Sequence, residues 1–294
     1  MNYASIDIGT NSCRLLISRV CQGQMQVLCR DMRTTRIGEG LSASGNISEE
    51  AAHRTLECLL LYQQKIRAAD AAAYRMVATS AVREAANRRW FEELCRQSLQ
   101  QPLEVISGEE EARLTYGGVQ NGLQISQPLL VVDLGGGSTE LIYAQEEELF
   151  AQSLPLGAVR GTELKISNKQ ILSIMREVKP HKDLFCDAVL VFCGGTATSV
   201  VAMKYGMTHY DSSQVHGQRL SRNEISRCYE YLVDMPVEKR HQVAGLQAQR
   251  ADIIVTGLMI MLNLMLTLEK EWTLVSESDL LEGLIWEMAS KQSG

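Results

Sequence analysis

The sequence lacks several patterns that mark well-known functional classes. Its eight cysteines contain no Cys-x-x-Cys pair, and its five histidines have no zinc-like spacing. A Gly-x-x-x-x-Gly-Lys-Ser/Thr motif is missing, which excludes a nucleotide P-loop. No basic run is interleaved with aromatic residues, and the net charge of −6 argues against nucleic-acid binding. These absences indicate an acidic protein without a zinc site or a nucleotide P-loop. Its scattered cysteines are best explained as free thiols in a reducing compartment.

Long apolar segments are missing as well. The most apolar stretch, residues 253–268, has only 16 residues and contains Gly257 and Asn263, so it predicts a buried helix instead of a membrane span. Asp7 and Arg14 interrupt the first apolar stretch, which argues against a signal peptide. We therefore expect a cytoplasmic protein without a membrane partner. With 45% hydrophobic residues over 294 positions, two packed domains are expected.

A glycine-rich turn occurs twice in the sequence. Residues 7–12 read Asp-Ile-Gly-Thr-Asn-Ser, and residues 133–139 read Asp-Leu-Gly-Gly-Gly-Ser-Thr. An apolar run precedes and follows each turn, which predicts strand–turn–strand and not the strand–helix of a dinucleotide-binding motif. Such a turn lets backbone N–H groups bind an anion. Either motif alone could be an ordinary hairpin, but the pair favours a duplicated phosphate-binding unit with a cleft between the copies.

The two turns supply candidate ligands for phosphate and for a metal ion. The predicted phosphate-binding residues are Gly9, Thr10, Asn11, Ser12, Gly135, Gly136, Gly137, Ser138 and Thr139. An aspartate beside an anion site makes sense if a divalent cation lies between them, so Asp7, Asp133 and Glu140 are candidate Mg²⁺ ligands. Glu140 taken alone could equally be a surface residue paired across the strands.

Two further side chains are candidates for chemistry. Arg83 follows an apolar strand, at the strand end where α/β sheets bind ligands, and its guanidinium suits bidentate phosphate contact. A surface salt bridge from Arg83 to Glu84 or Glu92 is an equally good interpretation. Glu111 is the last of three adjacent glutamates at a predicted helix start. Glu110 fits as a capping-box partner, whereas capping does not explain Glu111, which is our candidate for proton transfer.

Strands alternate with helices in two similar halves, which predicts an α/β fold with two sheets. The polar stretch 120–127 is the predicted boundary between domain 1–124 and domain 125–279. Other predicted elements are a strand at 74–78, a helix from about 80 to 97, a helix from about 168 to 179 ended by Pro180, and a capping box over residues 46–49.

Taken together, these segments resemble the exopolyphosphatase/guanosine pentaphosphate phosphohydrolase (Ppx/GppA phosphatase) family, in its short form without C-terminal helical domains. The resemblance extends over nearly the whole chain and depends on an ordered set of motifs. These motifs lie at residues 7–12, 36–40, 79–87, 107–113, 133–141, 155–160, 194–196, 215–217 and 276–283.

The resemblance implies a fold and a set of site residues. The fold would be two ribonuclease-H-like domains of the actin, sugar kinase and heat-shock chaperone ATPase superfamily, with the active site in the interdomain cleft. A C-terminal helix, 280–294 here, would complete the first domain. Glu111 would orient and deprotonate the attacking water, Asp133 and Glu140 would bind Mg²⁺, and Arg83 would contact phosphate.

The function implied by the resemblance is Mg²⁺-dependent removal of terminal phosphoryl groups from inorganic polyphosphate. Because the same residues serve both reactions, a guanosine pentaphosphate 5′-phosphohydrolase is the alternative. A weakly catalytic regulator that binds guanosine tetraphosphate or polyphosphate is a third interpretation. Long relatives carry extra helical domains that help to hold polymer, so short polyphosphates or a nucleotide are the expected substrates here. Homodimers occur in the family.

Overall fold

The computed structural model describes residues 1–145 and 148–292. Contacts between residues divide the chain into two compact units. The first unit is Met1–Gly118 together with the segment that begins at Leu280, and the second is Val119–Asp279. The division at residue 118 falls inside a helix, Gly108–Leu123, which ends where the sequence-based boundary was placed.

The first unit consists of a sheet with helices packed on it. Its strands are β1 (Asn2–Ile8), β2 (Ser12–Cys21), β3 (Gln24–Thr34), β4 (Ala73–Ala78) and β5 (Glu104–Val105). The helices that begin in residues 1–118 are α1 (Leu41–Ser44), α2 (Glu49–Ala68), α3 (Ser80–Glu84), α4 (Arg88–Leu99) and α5 (Gly108–Leu123).

The second unit also consists of a sheet with helices packed on it. Its strands are β6 (Leu129–Leu134), β7 (Thr139–Gln145), β8 (Glu148–Leu154), β9 (Val189–Cys193), β10 (Arg219–Ser221) and β11 (Trp272–Val275). Its helices are α6 (Ala158–Glu163), α7 (Asn168–Met175), α8 (Gly195–Lys204), α9 (Ser212–Val215), α10 (Arg222–Val233), α11 (Val237–Arg240) and α12 (Ile254–Thr267), with 3₁₀ helices at Lys179–Phe185 and Ala248–Arg250. The last helix, α13 (Leu280–Lys291), belongs to the first unit.

The two sheets have the same strand order. The first runs β3-β2-β1-β4-β5 and the second runs β8-β7-β6-β9-β11, with β10 added at the edge. In each sheet the first three strands form an antiparallel meander, and the next strand lies parallel to the first of them. This is the ribonuclease-H-like arrangement, so the expected α/β fold with two sheets is confirmed.

Each unit has its own apolar core. In the first, residues of β1, β2 and β4 pack against α2 and α4, and in the second, residues of β6, β7 and β9 pack against α12. The predicted buried helix is α12, and most of its residues are inaccessible to solvent, because it is apolar on nearly every face. Over residues 1–145 and 148–292, no helix has the length and apolar character needed to cross a membrane.

The predicted helix over 80–97 is wrong in one respect, because the structure breaks it in two. Ala85 ends α3 in an extended conformation with ψ 130°, and α4 begins only at Arg88. Between them, the side-chain amide of Asn87 pairs with the backbone of Ile47, accepting from its N–H and donating to its carbonyl oxygen, each at 2.9 Å. This tertiary pairing holds the chain out of a continuous helix.

Two predicted helix boundaries are also wrong. Helix α7 ends at Met175, and Pro180 lies at the start of the next 3₁₀ helix instead of ending α7. Proline has no N–H to donate, and the first turn of a helix needs none from it. At residues 46–49 the cap is Ser48, whose hydroxyl accepts from the Ala51 N–H at 3.2 Å, so α2 begins two residues later than an Asn46 cap would require.

A group of ion pairs joins α13 to β4 and α5 within the first unit. The guanidinium of Arg75 on β4 contacts Glu104 at 2.6 Å, Glu110 at 3.1 Å, and Glu287 on α13. Arg113 contacts the other oxygen of Glu287 at 2.9 Å. Burial disfavours the charged form of Glu287, but the two arginines outweigh this effect, so the pKa of Glu287 lies below its ordinary value.

We expect Glu287→Gln to weaken the dependence of stability on acid pH. Because the folded state lowers the pKa of Glu287, its charge stabilises the fold above the unfolded pKa, and this contribution is lost as pH falls through the folded value. Urea unfolding from about pH 5.5 to about pH 3 should therefore show a shallower loss of stability in the variant. Glu109→Gln, at an exposed position of α5, is the control. Identical pH profiles for wild type and Glu287→Gln would contradict the expectation.

Candidate active site

The two glycine turns are built in the same way. The strands on either side of each turn pair antiparallel, as strand–turn–strand requires. The N–H of Gly9 donates to the carbonyl of Ser12 at 3.0 Å, and the N–H of Gly135 donates to the carbonyl of Ser138 at 3.0 Å. The predicted duplication of the hairpin is therefore confirmed down to the hydrogen bond that closes each turn.

In the first hairpin, the carbonyl groups of the turn are held by the chain behind it. The Thr10 carbonyl accepts from the N–H of Gly38 at 3.0 Å, and the Asn11 carbonyl accepts from the N–H of Arg36 at 2.9 Å. Gly38 is needed at this point, since a Cβ there would lie 2.5 Å from Cγ2 of Thr10. C=O and N–H point in opposite directions in a trans peptide, so the N–H groups of Asn11 and Ser12 are directed away from this backing segment.

In the second hairpin, the start of α6 holds the carbonyl groups. The N–H of Ala158 donates to the Gly135 carbonyl and the N–H of Arg160 to the Gly136 carbonyl, both at 3.0 Å. The first N–H groups of a helix have no partner within the helix, and here they donate to the carbonyl groups of the turn. By the same geometry of the trans peptide, the N–H groups of Gly136 and Gly137 are directed away from α6.

The hairpins differ in charge at one equivalent position. Seven residues after each aspartate, directly opposite it on the next strand, the first hairpin has Arg14 and the second has Glu140. Arg14 donates to Oδ2 of Asp7 from Nη2 at 2.6 Å and from Nε at 2.9 Å. Glu140 faces Asp133 and accepts from the Ser153 hydroxyl at 2.9 Å. The pairing of Arg14 with Asp7 was not predicted from the sequence, although the shared seven-residue offset could have indicated it.

The second hairpin fits a magnesium ion better than the first. Asp133 and Glu140 lie directly opposite each other on neighbouring strands, and both supply the carboxylate oxygens that Mg²⁺ prefers. Throughout the described chain, no group of three or more His, Cys, Asp or Glu residues is arranged to hold a metal ion. Mg²⁺ commonly takes one or two carboxylates and completes its shell with water and substrate phosphate, so a pair of carboxylates is compatible with this ion. The ion pair with Arg14 makes Asp7 a poorer ligand than we expected.

Within the first unit, Arg83 and Glu111 form an ion pair. Nη1 of Arg83 lies 2.8 Å from Oε2 of Glu111 and also donates to the carbonyl of Ile106 at 3.1 Å. The hydroxyl of Ser80, one turn before Arg83 on α3, lies 3.1 Å from that of Thr10 in the first hairpin. Helix α3 thus connects the hairpin to the arginine and, through it, to the carboxylate.

The three adjacent glutamates at the start of α5 have different surroundings. Glu109 is exposed. The N–H of Glu110 donates to the Ser107 hydroxyl at 3.1 Å, which forms half of the predicted capping box, but its carboxylate pairs with Arg75. Glu111 is buried, with 9% of its surface accessible. A buried carboxylate beside an arginine near a phosphate-type hairpin is suited to proton transfer.

The fold and the site define a protein with two ribonuclease-H-like units, each with an Asp-x-Gly hairpin whose carbonyl groups are held from behind. Its sequence matches the model of the Ppx/GppA phosphatase family over residues 16–292. It is 32% identical to Exopolyphosphatase 2 of Mycobacterium tuberculosis over 97% of this chain and 98% of the relative. The chain therefore belongs to the Ppx/GppA phosphatase family, as the sequence motifs suggested, and with it to the hydrolases of phosphoric anhydrides.

Two further comparisons agree with this membership. The guanosine-5′-triphosphate,3′-diphosphate pyrophosphatase of Vibrio parahaemolyticus is 31% identical over 98% of this chain, and the chain spans 59% of that relative's length. The crystal structure of the Aquifex aeolicus Ppx/GppA family member superimposes with a TM-score of 0.82 at 28% identity, covering 100% of this chain and 99% of that one. The family match therefore covers residues 16–292, and the fold is shared over the whole length of the chain.

Gly157→Ala should damage the second hairpin. A Cβ at residue 157 would lie 2.3 Å from the carbonyl oxygen of Gly136, although the φ of −132° is open to any residue. The hairpin must therefore shift, at a cost of about 1–3 kcal/mol in unfolding free energy, and its N–H groups lose their direction. Calorimetric binding of tripolyphosphate should weaken in this variant. Gly117→Ala, where a Cβ would have no heavy atom within 4 Å, is the control, and equal affinity in both variants would refute the expectation.

Proposed function

We propose that this protein removes terminal phosphoryl groups from inorganic polyphosphate by Mg²⁺-dependent attack of water. The observation that carries the proposal is the Glu111–Arg83 pair, which places a buried carboxylate 2.8 Å from a guanidinium beside a phosphate-type hairpin. The relationship to Exopolyphosphatase 2 supports this choice of substrate, because it extends over 98% of that relative.

Glu111 acts on the attacking water in this proposal. Its carboxylate orients the water and takes one proton as the new O–P bond forms in line with the bridging P–O bond that breaks. The products are orthophosphate and a polyphosphate shorter by one unit. Arg83 steadies the carboxylate and stabilises negative charge on the phosphoryl oxygens during transfer.

The hairpins bind the substrate oxygens. Preorganised N–H groups are effective at this task because they need no reorganisation during the reaction. In the first unit, residues 9–12 and Arg83 bind these oxygens. In the second unit, residues 135–139 bind them. Asp133 and Glu140 would hold Mg²⁺, which when bound neutralises charge on the phosphoryl oxygens.

A guanosine pentaphosphate 5′-phosphohydrolase is the second candidate. The observation that favours it is the 31% identity to the guanosine-5′-triphosphate,3′-diphosphate pyrophosphatase of Vibrio parahaemolyticus. The chemistry at the terminal phosphoryl group would be the same, so the catalytic residues do not distinguish the substrates. A weakly catalytic protein that binds these compounds to regulate a partner is a third outcome, which activity measurements would identify.

Phosphate release tests the proposal directly. Purified protein with Mg²⁺ is compared on short-chain polyphosphate, long-chain polyphosphate and guanosine pentaphosphate, and we expect the highest kcat/KM on a polyphosphate. Glu111→Gln should lower kcat by about 10²–10⁴-fold and retain tripolyphosphate binding, because the variant loses the base but not the hairpins. Glu109→Gln, exposed on the same helical turn, should match wild type.

The outcomes of this experiment separate the candidates. Turnover by Glu111→Gln at the wild-type rate would remove Glu111 as the base. A preference for guanosine pentaphosphate that is abolished in Glu111→Gln would select the second candidate. Binding of all three compounds without phosphate release would favour the regulatory protein.

Glu140→Gln should weaken the response of the protein to Mg²⁺, because it removes one of the two proposed carboxylate ligands. Added Mg²⁺ should stabilise wild type more than the variant, and half-maximal activity of the variant should require more Mg²⁺. Asp133→Asn should behave similarly, and Glu148→Gln, exposed on the same sheet, is the control. An equal Mg²⁺ shift in wild type and Glu140→Gln would count against the proposed ligands.

A further inference from the structure

The last helix of the chain is in backbone contact with the helix that carries Glu111. At Gly283 on α13, a Cβ atom would lie 2.0 Å from the carbonyl oxygen of Leu114 and 2.7 Å from its carbonyl carbon. There is no room for any side chain, so the backbones of α13 and α5 touch at this point. Leu114 follows Glu111 by three residues, which places it about one turn further along a shared side of α5.

Apolar side chains seal the surroundings of this contact. Leu280 and Leu284 lie on either side of it along α13, and both belong to one buried cluster with Leu114, Val77 and Ile106. Leu114 is 2% exposed and Leu284 is fully buried. Separating the helices would expose this apolar surface to water, at about 25 cal/mol for each Å², so the distance between them is firmly held.

Ion pairs fix the same helix on its polar side. Arg75 connects Glu110 on α5, at 3.1 Å, with Glu287 on α13, and Arg113 on α5 pairs with Glu287 at 2.9 Å. Isolated surface pairs contribute little to stability, but the Glu287 side chain is only 17% exposed and is shared by two arginines. Glu110 and Arg113 are close neighbours of Glu111 in the sequence, so these contacts also restrict rotation of α5 about its axis.

We propose that α13 positions Glu111 for the reaction. The contact between Gly283 and Leu114 sets the distance of α5 from α13, and the pairs made by Glu287 set the rotation of α5. Together they hold the Glu111 carboxylate at its 2.8 Å contact with Arg83. The inference rests on the proposed function, in which Glu111 is the base. Gly283 and Glu287 are positioning residues, since they act through α5.

The test is Gly283→Ala. Ordinary contact of a Cβ atom begins at 3.4 Å, so the helices must separate by about 1.4 Å to admit one at 2.0 Å. A misplacement of about 1 Å at a reacting group can lower the rate by about 10²-fold. We expect kcat for tripolyphosphate to fall by about this factor. KM should stay near the wild-type value, because the hairpins and Arg83 lie on other elements.

Gly117→Ala is the matched control on α5. A Cβ at residue 117 meets no heavy atom within 4 Å, and alanine is favoured over glycine within a helix by about 1 kcal/mol. This variant should keep the wild-type kcat and should be no less stable. A folded Gly283→Ala with the wild-type kcat would overturn the inference. So would a loss of kcat matched by an equal rise in KM, which would indicate general damage.

Glu287→Gln decides the question if Gly283→Ala does not fold. It leaves the backbone contact intact and removes only the carboxylate shared by Arg75 and Arg113. A lower kcat at unchanged KM supports the inference, and an unchanged kcat overturns it. Glu111→Gln separates this result from the proposed function: if it turns over normally, the base assignment fails. If it is inactive while Gly283→Ala is fully active, only the positioning role fails.

Discussion

The direction of the peptide groups in the two turns is the constraint on which the candidate site depends. A glycine-rich turn by itself is free to present carbonyl or N–H groups to a ligand. In this protein, residues 36–38 hold the carbonyls of the first turn and residues 158–160 hold those of the second. Since a trans peptide fixes C=O and N–H in opposite directions, the N–H direction becomes a property of the fold. Gly38 and Gly157 permit this because a side chain at either would collide with the turn.

The two hairpins show how a duplicated element can acquire distinct chemistry. Their turns close with the same hydrogen bond, yet Arg14 faces Asp7 in one and Glu140 faces Asp133 in the other. The first pair has opposite charges that neutralise each other, whereas the second places two carboxylates directly opposite each other. In a chain of net charge −6, this difference makes the second hairpin the better candidate for a cation site, while the Glu111–Arg83 pair lies in the first unit.

The sequence predicted those features that depend on local patterns. Both hairpins, the strand at 74–78 and the buried helix α12 follow from apolar runs and turn residues that are adjacent along the chain. The break after Ala85 could not be predicted, because it depends on Asn87 pairing with Ile47, 40 positions away. Tertiary pairing of this kind overrides helix propensity.

The candidate site was predictable to a similar extent. Glu111 and Arg83 were chosen as separate residues from their local context and from the family resemblance. Their contact could not be read from the sequence, where salt bridges from Arg83 to Glu84 or Glu92 were equally good interpretations. The structure supplies the contact because α3 and the start of α5 lie side by side in the first unit. A pairing that joins two helices carries no signal in either segment alone.

The role of Gly283 illustrates why such contacts depend on topology. Within the apolar sequence of α13, a glycine has the weak helix propensity that would normally count against it. The need for glycine at this position becomes evident only from the close packing of Leu114 against it. The neighbouring ion pair between Arg113 and Glu287 likewise joins residues that are 174 positions apart. The packing around Glu111 thus combines the first part of the chain with its last helix. The buried environment of Glu111 is therefore a property of the completed first unit and not of α5 alone.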